Sequence, residues 1–435
     1  MNNPFARPPL AFVDARVVDP SQNLDDQRTV LVEDGKIKAI EAHVAPSLLE
    51  AEYEIIDCRD KVLIPGLIDF QVRTGEPGSE HEETLVSASQ AAVAGGVTTI
   101  VTQPDTNPVI DDIALVDFIT RNAGANAICN VKVMGALTKG LAGKEMSELR
   151  LMREAGAVAF TNCKRSLTNA RIMRRALSYA RDFDGLVIHH CDEPSLSEGG
   201  VMNEGEMATR LGLPGIPKIA EVIMLERDLR LVEITGGRYH AASLSCAESV
   251  ELIRQAKKRG LNVTAGASVN NATLNENDIG SYRTFFKLSP PLRLEEDRMA
   301  VVEGIKDGTI DVVHSDHTPR DVDMKRHPFA DASNGAIGLE SLLAALLRLV
   351  HNDDLDLSDV IRVTANKPAE LIGQQSGTIE KGAKADLALL DIDMPWILDE
   401  ADLKSLSKNT AFEGARFTGR CIQTFVDGVE VYRLD

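Results

Sequence analysis

VTTIVTQPDTNPVIDDIALVDFITRNAGANAICNVKVMGAL, residues 97–137, decides the fold. It opens on a short apolar run rich in β-branched residues, which reads as a buried strand. A turn containing Pro and Asp follows, then the helical pattern DDIALVDFITRNAG, and then a second apolar strand run, ICNVKVMGAL. Working outward, the same unit recurs. KVLIPGLIDF leads into EHEETLVSASQAAVAGG upstream, and EMSELRLMREAG follows the quoted stretch. AVAFTN precedes ARIMRRALSYARDF, and GLVIHH precedes a long loop and IPKIAEVIMLERDLRLVEITGG. RYHAASLS, LNVTAGAS and IDVVHSD each precede a helical pattern in turn. Eight strand–helix units in succession predict an α/β protein, a (β/α)8 TIM barrel. Gly96, Gly124, Gly156, Gly237 and Gly260 stand where helices should stop before the next strand.

Both ends read differently. LAFVDARVVD, TVLVEDGKIKAIEA and EYEIIDC are short β-rich runs, and DLALLDID and CIQTFVDGVEVY return to that style near the C-terminus. Asp-Gly pairs in both regions signal hairpin turns. We therefore expect a small β-sandwich domain built from residues 1–62 and 373–435, flanking a barrel over 63–372. A net charge of −19 argues against a nucleic-acid partner, which needs a basic face. No apolar run reaches bilayer length and the start lacks signal-peptide features, so a cytoplasmic protein without membrane contact is expected. The six cysteines are scattered without a C-x-x-C pair, as expected of buried thiols in a reducing compartment.

In a barrel of this kind the chemistry sits where strands end, and the motifs there carry a resemblance. IPGLIDF, GEPGSEHEETLVSASQAAVAGGVTTIVTQPDTNPVID, KLSPPLR, SDHTP, ASNGAIGLE and GTIEKGAKADLALLD follow one another from about residue 60 to the C-terminus. Together they resemble the dihydroorotases of the amidohydrolase superfamily. Allantoinases and dihydropyrimidinases share parts of the pattern. The resemblance implies hydrolysis or closure of a cyclic amide on one or two zinc ions, with a carboxylate handling the proton. Such chemistry needs neutral His and ionised carboxylates converging on one point.

This sequence departs from that ligand pattern. Where the resemblance implies Asp-x-His-x-His after the first strand, the chain has Asp69-Phe70-Gln71-Val72-Arg73. A substrate-clasping Arg is replaced by Gly75, and a substrate-holding Asn by Asp105. Opposite charge makes Asp105 a candidate partner for Arg73; a solvated Asp105 in a turn is equally open. The bridging carboxylate or carboxylated Lys expected after the fourth strand is lost at Asn162 and Cys163, and Lys164 beyond it reads as exposed. His190 keeps its place on the fifth strand. A sixth-strand ligand becomes Ser243, and His240, an odd number of residues away, is expected on the opposite face. Val269-Asn270-Asn271 stands where the resemblance implies Pro-His-His. Asp316 survives as the would-be catalytic carboxylate, and a substrate-contacting His becomes Arg320.

Two surviving ligands, His190 and Asp316, fall short of the roughly three a catalytic zinc needs. The expectation is therefore a dihydroorotase-like protein of pyrimidine biosynthesis with no catalytic residue at work and no bound cofactor. By family analogy it would be an oligomeric structural or regulatory partner of aspartate carbamoyltransferase. The alternative is an active zinc-dependent hydrolase with a rebuilt single-metal site, His314 joining His190 and Asp316. Binding of a small polar metabolite among Arg73, Asp105, His190, Asp316 and Arg320 is a third possibility. Residues 195–217 read as a long loop over the old site or an assembly surface. Asp353-Asp354-Leu355-Asp356 reads as a solvated cap for a helix near Leu357.

Overall fold

The computed structural model describes residues 9–49 and 53–434. Eight parallel strands lie side by side in chain order: Leu67–Val72, Val97–Thr102, Asn130–Ala136, Ala159–Thr161, Leu186–His189, Arg238–Ala241, Val263–Ser268 and Val312–His314. The ring is drawn shut between first and eighth strands by Arg73 N–H donating to His317 O at 2.9 Å and Ser315 N–H donating to Asp69 Oδ1 at 2.9 Å. Pleating sends alternate residues to opposite sides. Ile68, Phe70, Val101, Met134, Ala159, Leu186, Ile188, Ala242 and Val312 fill the barrel, while Leu67, Ile100, Val133, Phe160, Val187, Tyr239 and Val313 pack against the surrounding helices. Such strands are buried on both sides, which is why they read as continuous apolar runs.

Helix boundaries follow local chemistry. Thr84 caps the helix Leu85–Ala94 in a reciprocal box with Ser87, and Asp356 and Asp359 do the same for Leu357–Ile361, as the acidic run suggested. Gly236, with φ +66, closes Ile219–Thr235. Gly124 departs from its expected role: it lies inside the helix Ile113–Asn126, whose end is set instead by extended Ala127.

A second eight-stranded sheet takes strands from both ends of the chain, ordered Val429–Arg433, Arg416–Val426, Leu387–Ile397, Val62–Pro65, Leu10–Asp19, Leu24–Glu33, Lys36–Glu41, with Glu54–Asp57 beside Leu10–Asp19. The Asp34-Gly35 and Asp427-Gly428 turns carry positive φ at both residues, the hairpin geometry those pairs favour. Val62–Pro65 hydrogen-bonds to Leu387–Leu390 in this sheet, so the first barrel strand starts only after Gly66. All six cysteines are buried and unpaired. No helix of the described residues is long and apolar enough to cross a membrane.

Candidate functional site at the barrel mouth

The first strand does not deliver Gln71 and Arg73 inward by simple alternation. Ile68 and Phe70 already face the interior, and the register with the second strand breaks between Asp69 and Val72. Gln71, at φ +63, is the extra residue of a bulge that reverses the phase, so its side chain also enters the barrel. Its amide nitrogen donates to Ala242 O at 2.7 Å and lies 2.9 Å from His314 Nε2. Ser243 Oγ sits 3.1 Å from the same imidazole nitrogen. Burial pushes His314 down to about 3, with Lys164 adding repulsion, so the ring stays neutral.

Arg73 is turned in from solvent, its side chain 15% exposed, and its Nε lies 3.2 Å from Asp105 Oδ2. Of the two readings left open for Asp105, the pairing is the one present, and a second carboxylate joins it: Arg73 Nη1 donates to Glu82, which Arg320 Nη1 approaches at 3.6 Å. Glu82 was not singled out in the sequence, although it sits in the acidic run GEPGSEHEE next to the first strand. Gly75 fits a turn in which a side chain would be strained. At φ +69, a Cβ there would lie 2.6 Å from Ser79 O, so the lost arginine has no room to return.

The fourth strand ends on residues that face away from a common centre. Asn162 is spent on Thr138, accepting from its N–H at 3.1 Å and donating to its Oγ1 at 2.9 Å. Cys163 packs with Ala136 and Leu141. Its φ of +56 swings the next residue back over the mouth. Lys164 is therefore not an exposed lysine: Nζ lies 2.8 Å and 3.0 Å from the two Asp316 oxygens and donates to Ser289 O at 2.6 Å. Burial raises the Asp316 carboxyl and Lys164 opposes that rise. His190, buried beside this pair, is held well below the ordinary imidazole range first by burial and then by Lys164. Its Nδ1 has no partner.

These groups border a cleft of about 330 Å³ lined by Lys164, His190, Asp316, Arg320 and the KLSPPLR residues Ser289 and Arg293. Ser197, Gly200 and Ile216 close its rim, so the expected loop over 195–217 does cover the mouth. That loop is itself folded, with a helix Glu206–Leu211 and paired strands Met202–Asn203 and Gly215–Ile216. Arg293 ties it down, donating to Asn203 Oδ1 at 2.9 Å and Ile216 O at 2.7 Å. Asn271 is structural, donating to Pro291 O at 3.0 Å. His240 corrects the sequence reading. It registers beside Ile188 on the inner face, bonded to Thr264 Oγ1 at 2.8 Å, because the strand ends at Ala241 and Ser243 belongs to the loop.

Comparison with known proteins places this geometry. The family described as Dihydro-orotase-like matches residues 60–249. A protein named Dihydroorotase from Syntrophus aciditrophicus (strain SB) is 41% identical over 420 residues, covering 97% of this chain and 98% of its own. The chain belongs to the dihydroorotase family. Another Dihydroorotase, from Anaplasma phagocytophilum (strain HZ), is 37% identical over 433 residues, 98% of this chain and 96% of its own. Among solved structures, an L-hydantoinase (dihydropyrimidinase) from Arthrobacter aurescens superposes with a TM-score of 0.87 at 26% identity, covering 98% of this chain and 96% of that one.

A dihydroorotase-family barrel is expected to hold metal, and the donors here can be tested against that need. Gln71, Ser243 and His314 are bonded to one another, Asn162 to Thr138, and Cys163 lies in an apolar cluster. That leaves His190 and Asp316, with an ammonium already on the carboxylate. The charged lining of the cleft is mixed, with Lys164, Arg293 and Arg320 beside Asp192, Glu221 and Asp316. Two candidate donors, one of them already paired to an ammonium, do not fit a catalytic zinc. The rebuilt trio does not assemble either. Among the described residues the one set of three donors drawn close enough for an ion is His189, Cys191 and Asp228, which lacks all three of its members. In that set His189 Nε2 accepts from Leu167 N–H at 2.7 Å and Nδ1 lies 2.6 Å from Asp228 Oδ2. Asp228 in turn accepts from Arg227 at 2.7 Å and Tyr239 at 2.9 Å. With these lone pairs in use, the group reads as a hydrogen-bonded brace on the helix side of the fifth strand.

Proposed function

We propose that this dihydroorotase-family protein serves pyrimidine biosynthesis in the cytoplasm without opening or closing the dihydroorotate ring itself. In this reading it acts as a structural or regulatory partner of aspartate carbamoyltransferase. The observation that carries the loss of catalysis is the Lys164 ammonium seated on Asp316, the carboxylate an active member would use for proton transfer. With an ammonium 2.8 Å away, the carboxylate is occupied where a substrate proton would have to reach it, and no imidazole pair stands by to polarise an amide. The partner rests on analogy with dihydroorotase-like subunits that associate with that enzyme.

A second reading, an active cyclic-amide hydrolase, is the one favoured by the relatives' names, since those at 37–41% identity are called Dihydroorotase. One sample separates the two: dihydroorotate hydrolysis and metal content measured together on protein purified without chelator. Turnover with stoichiometric zinc would establish the hydrolase. Tagged protein that never retains aspartate carbamoyltransferase would remove the partner.

A further inference from the structure

We propose that Lys164 supplies the cation of this barrel: its ammonium, in place of a bound metal, joins the ends of the fourth, fifth and eighth strands. The inference rests on the reading that the mouth holds no divalent ion, and goes beyond it by naming what replaces the ion. Three contacts define the seat. Nζ touches both Asp316 oxygens, at 2.8 Å and 3.0 Å, and donates to Ser289 O at 2.6 Å. Ser289 Oγ then reaches His190 Nε2 at 3.4 Å. One positive centre thus links the eighth-strand carboxylate, the KLSPPLR loop and, through that loop, the fifth-strand imidazole.

The need for such a centre follows from burial. The Asp316 side chain is 7% exposed, and an isolated carboxylate there would be costly. His190 does not pair with it: its Nε2 faces Ser289 Oγ at 3.4 Å. Arg73 and Arg320 are engaged with Glu82 and Asp105. Lys164 reaches the seat because Cys163 adopts φ +56 immediately past the strand, and Asp316 meets it from φ +54. Two left-handed residues on separate strand ends, aimed at one ion pair, make a built arrangement rather than a chance surface contact. Lys164 is in these terms a positioning residue.

Thermal melting of the full chain tests this with Lys164→Met, Lys164→Arg, Asp316→Asn and the Lys164→Met/Asp316→Asn pair. Lys164→Met should lower Tm by several degrees, Lys164→Arg should hold it near wild type, and adding Asp316→Asn to Lys164→Met should recover at least half the loss. If Lys164→Met does not fold, folding of the double variant is the same rescue. Chelator should leave the wild-type Tm unchanged. The proposal is overturned if Lys164→Met melts like wild type or if the two substitutions add without rescue. It is also overturned if wild type takes up zinc in a bicarbonate-dependent manner that Lys164→Arg abolishes, for then Nζ carries a carbamate. Zinc-bound, active wild type would sink the non-catalytic reading as well; a metal-free, inactive protein without coupling sinks this proposal alone.

Discussion

Replacing Arg73 by Met tests whether the old ligand position is now a structural ion cluster. Arg73 Nε is 3.2 Å from Asp105, its Nη1 bonds Glu82, and the three side chains are 15%, 29% and 9% exposed. At that separation and an effective dielectric of about 20, the Asp105 contact is worth roughly 5 kcal/mol before desolvation is subtracted. Removing the cation strands two carboxylates together, and breaking a buried pair from one side costs about 3–5 kcal/mol. Arg320, 3.6 Å from Glu82, remains to offset part of the excess charge. The expected loss therefore sits at the low end, about 3 kcal/mol. Urea denaturation at neutral pH reads this directly, and a cycle with Glu82→Gln isolates the pair. In the Glu82→Gln background the same Arg73→Met change should cost at least about 1 kcal/mol less. A single-variant loss under about 0.5 kcal/mol, or strict additivity, would refute the view that charge pairing fixes this corner.

Asp69 gives a pH dependence of known sign. Its Oδ1 accepts from Ser315 N–H at 2.9 Å, its Oδ2 is buried without a partner, and burial raises the carboxyl to about 7. A raised acid favours the folded state most below its unfolded value near 3.8, and that contribution is lost as pH climbs through about 7. Stability of wild type relative to Asp69→Asn should therefore fall between pH 4 and 8 by a few kcal/mol, and a flat difference would contradict it. Phe70→Ala, at a fully buried position inside the barrel, should cost about 3–5 kcal/mol in the same assay. Rebuilding the donors is a stricter test. A variant with Gln71→His, Arg73→His, Asp105→Asn, Cys163→Asp, Lys164→Gly and Ser243→His should retain about one zinc per chain, whereas Gln71→His alone should retain none by elemental analysis.

The order of strands and helices, the barrel and the terminal sheet strands were all legible in the sequence, because they rest on local periodicity and turn chemistry. That Gln71 and Arg73 stand where the resemblance implies imidazoles was legible too, since it is read residue by residue. What replaced them was decided by tertiary structure. Lys164 looked exposed because nothing local announces the left-handed turn at Cys163 that brings it onto Asp316. His240 was placed on the wrong side because alternation was carried past the end of a four-residue strand. Glu82, remote in sequence from Arg320, became its partner only when the ring closed. Periodicity is written into neighbouring residues, but the pairing of charges across a barrel mouth depends on where eight separate strands stop.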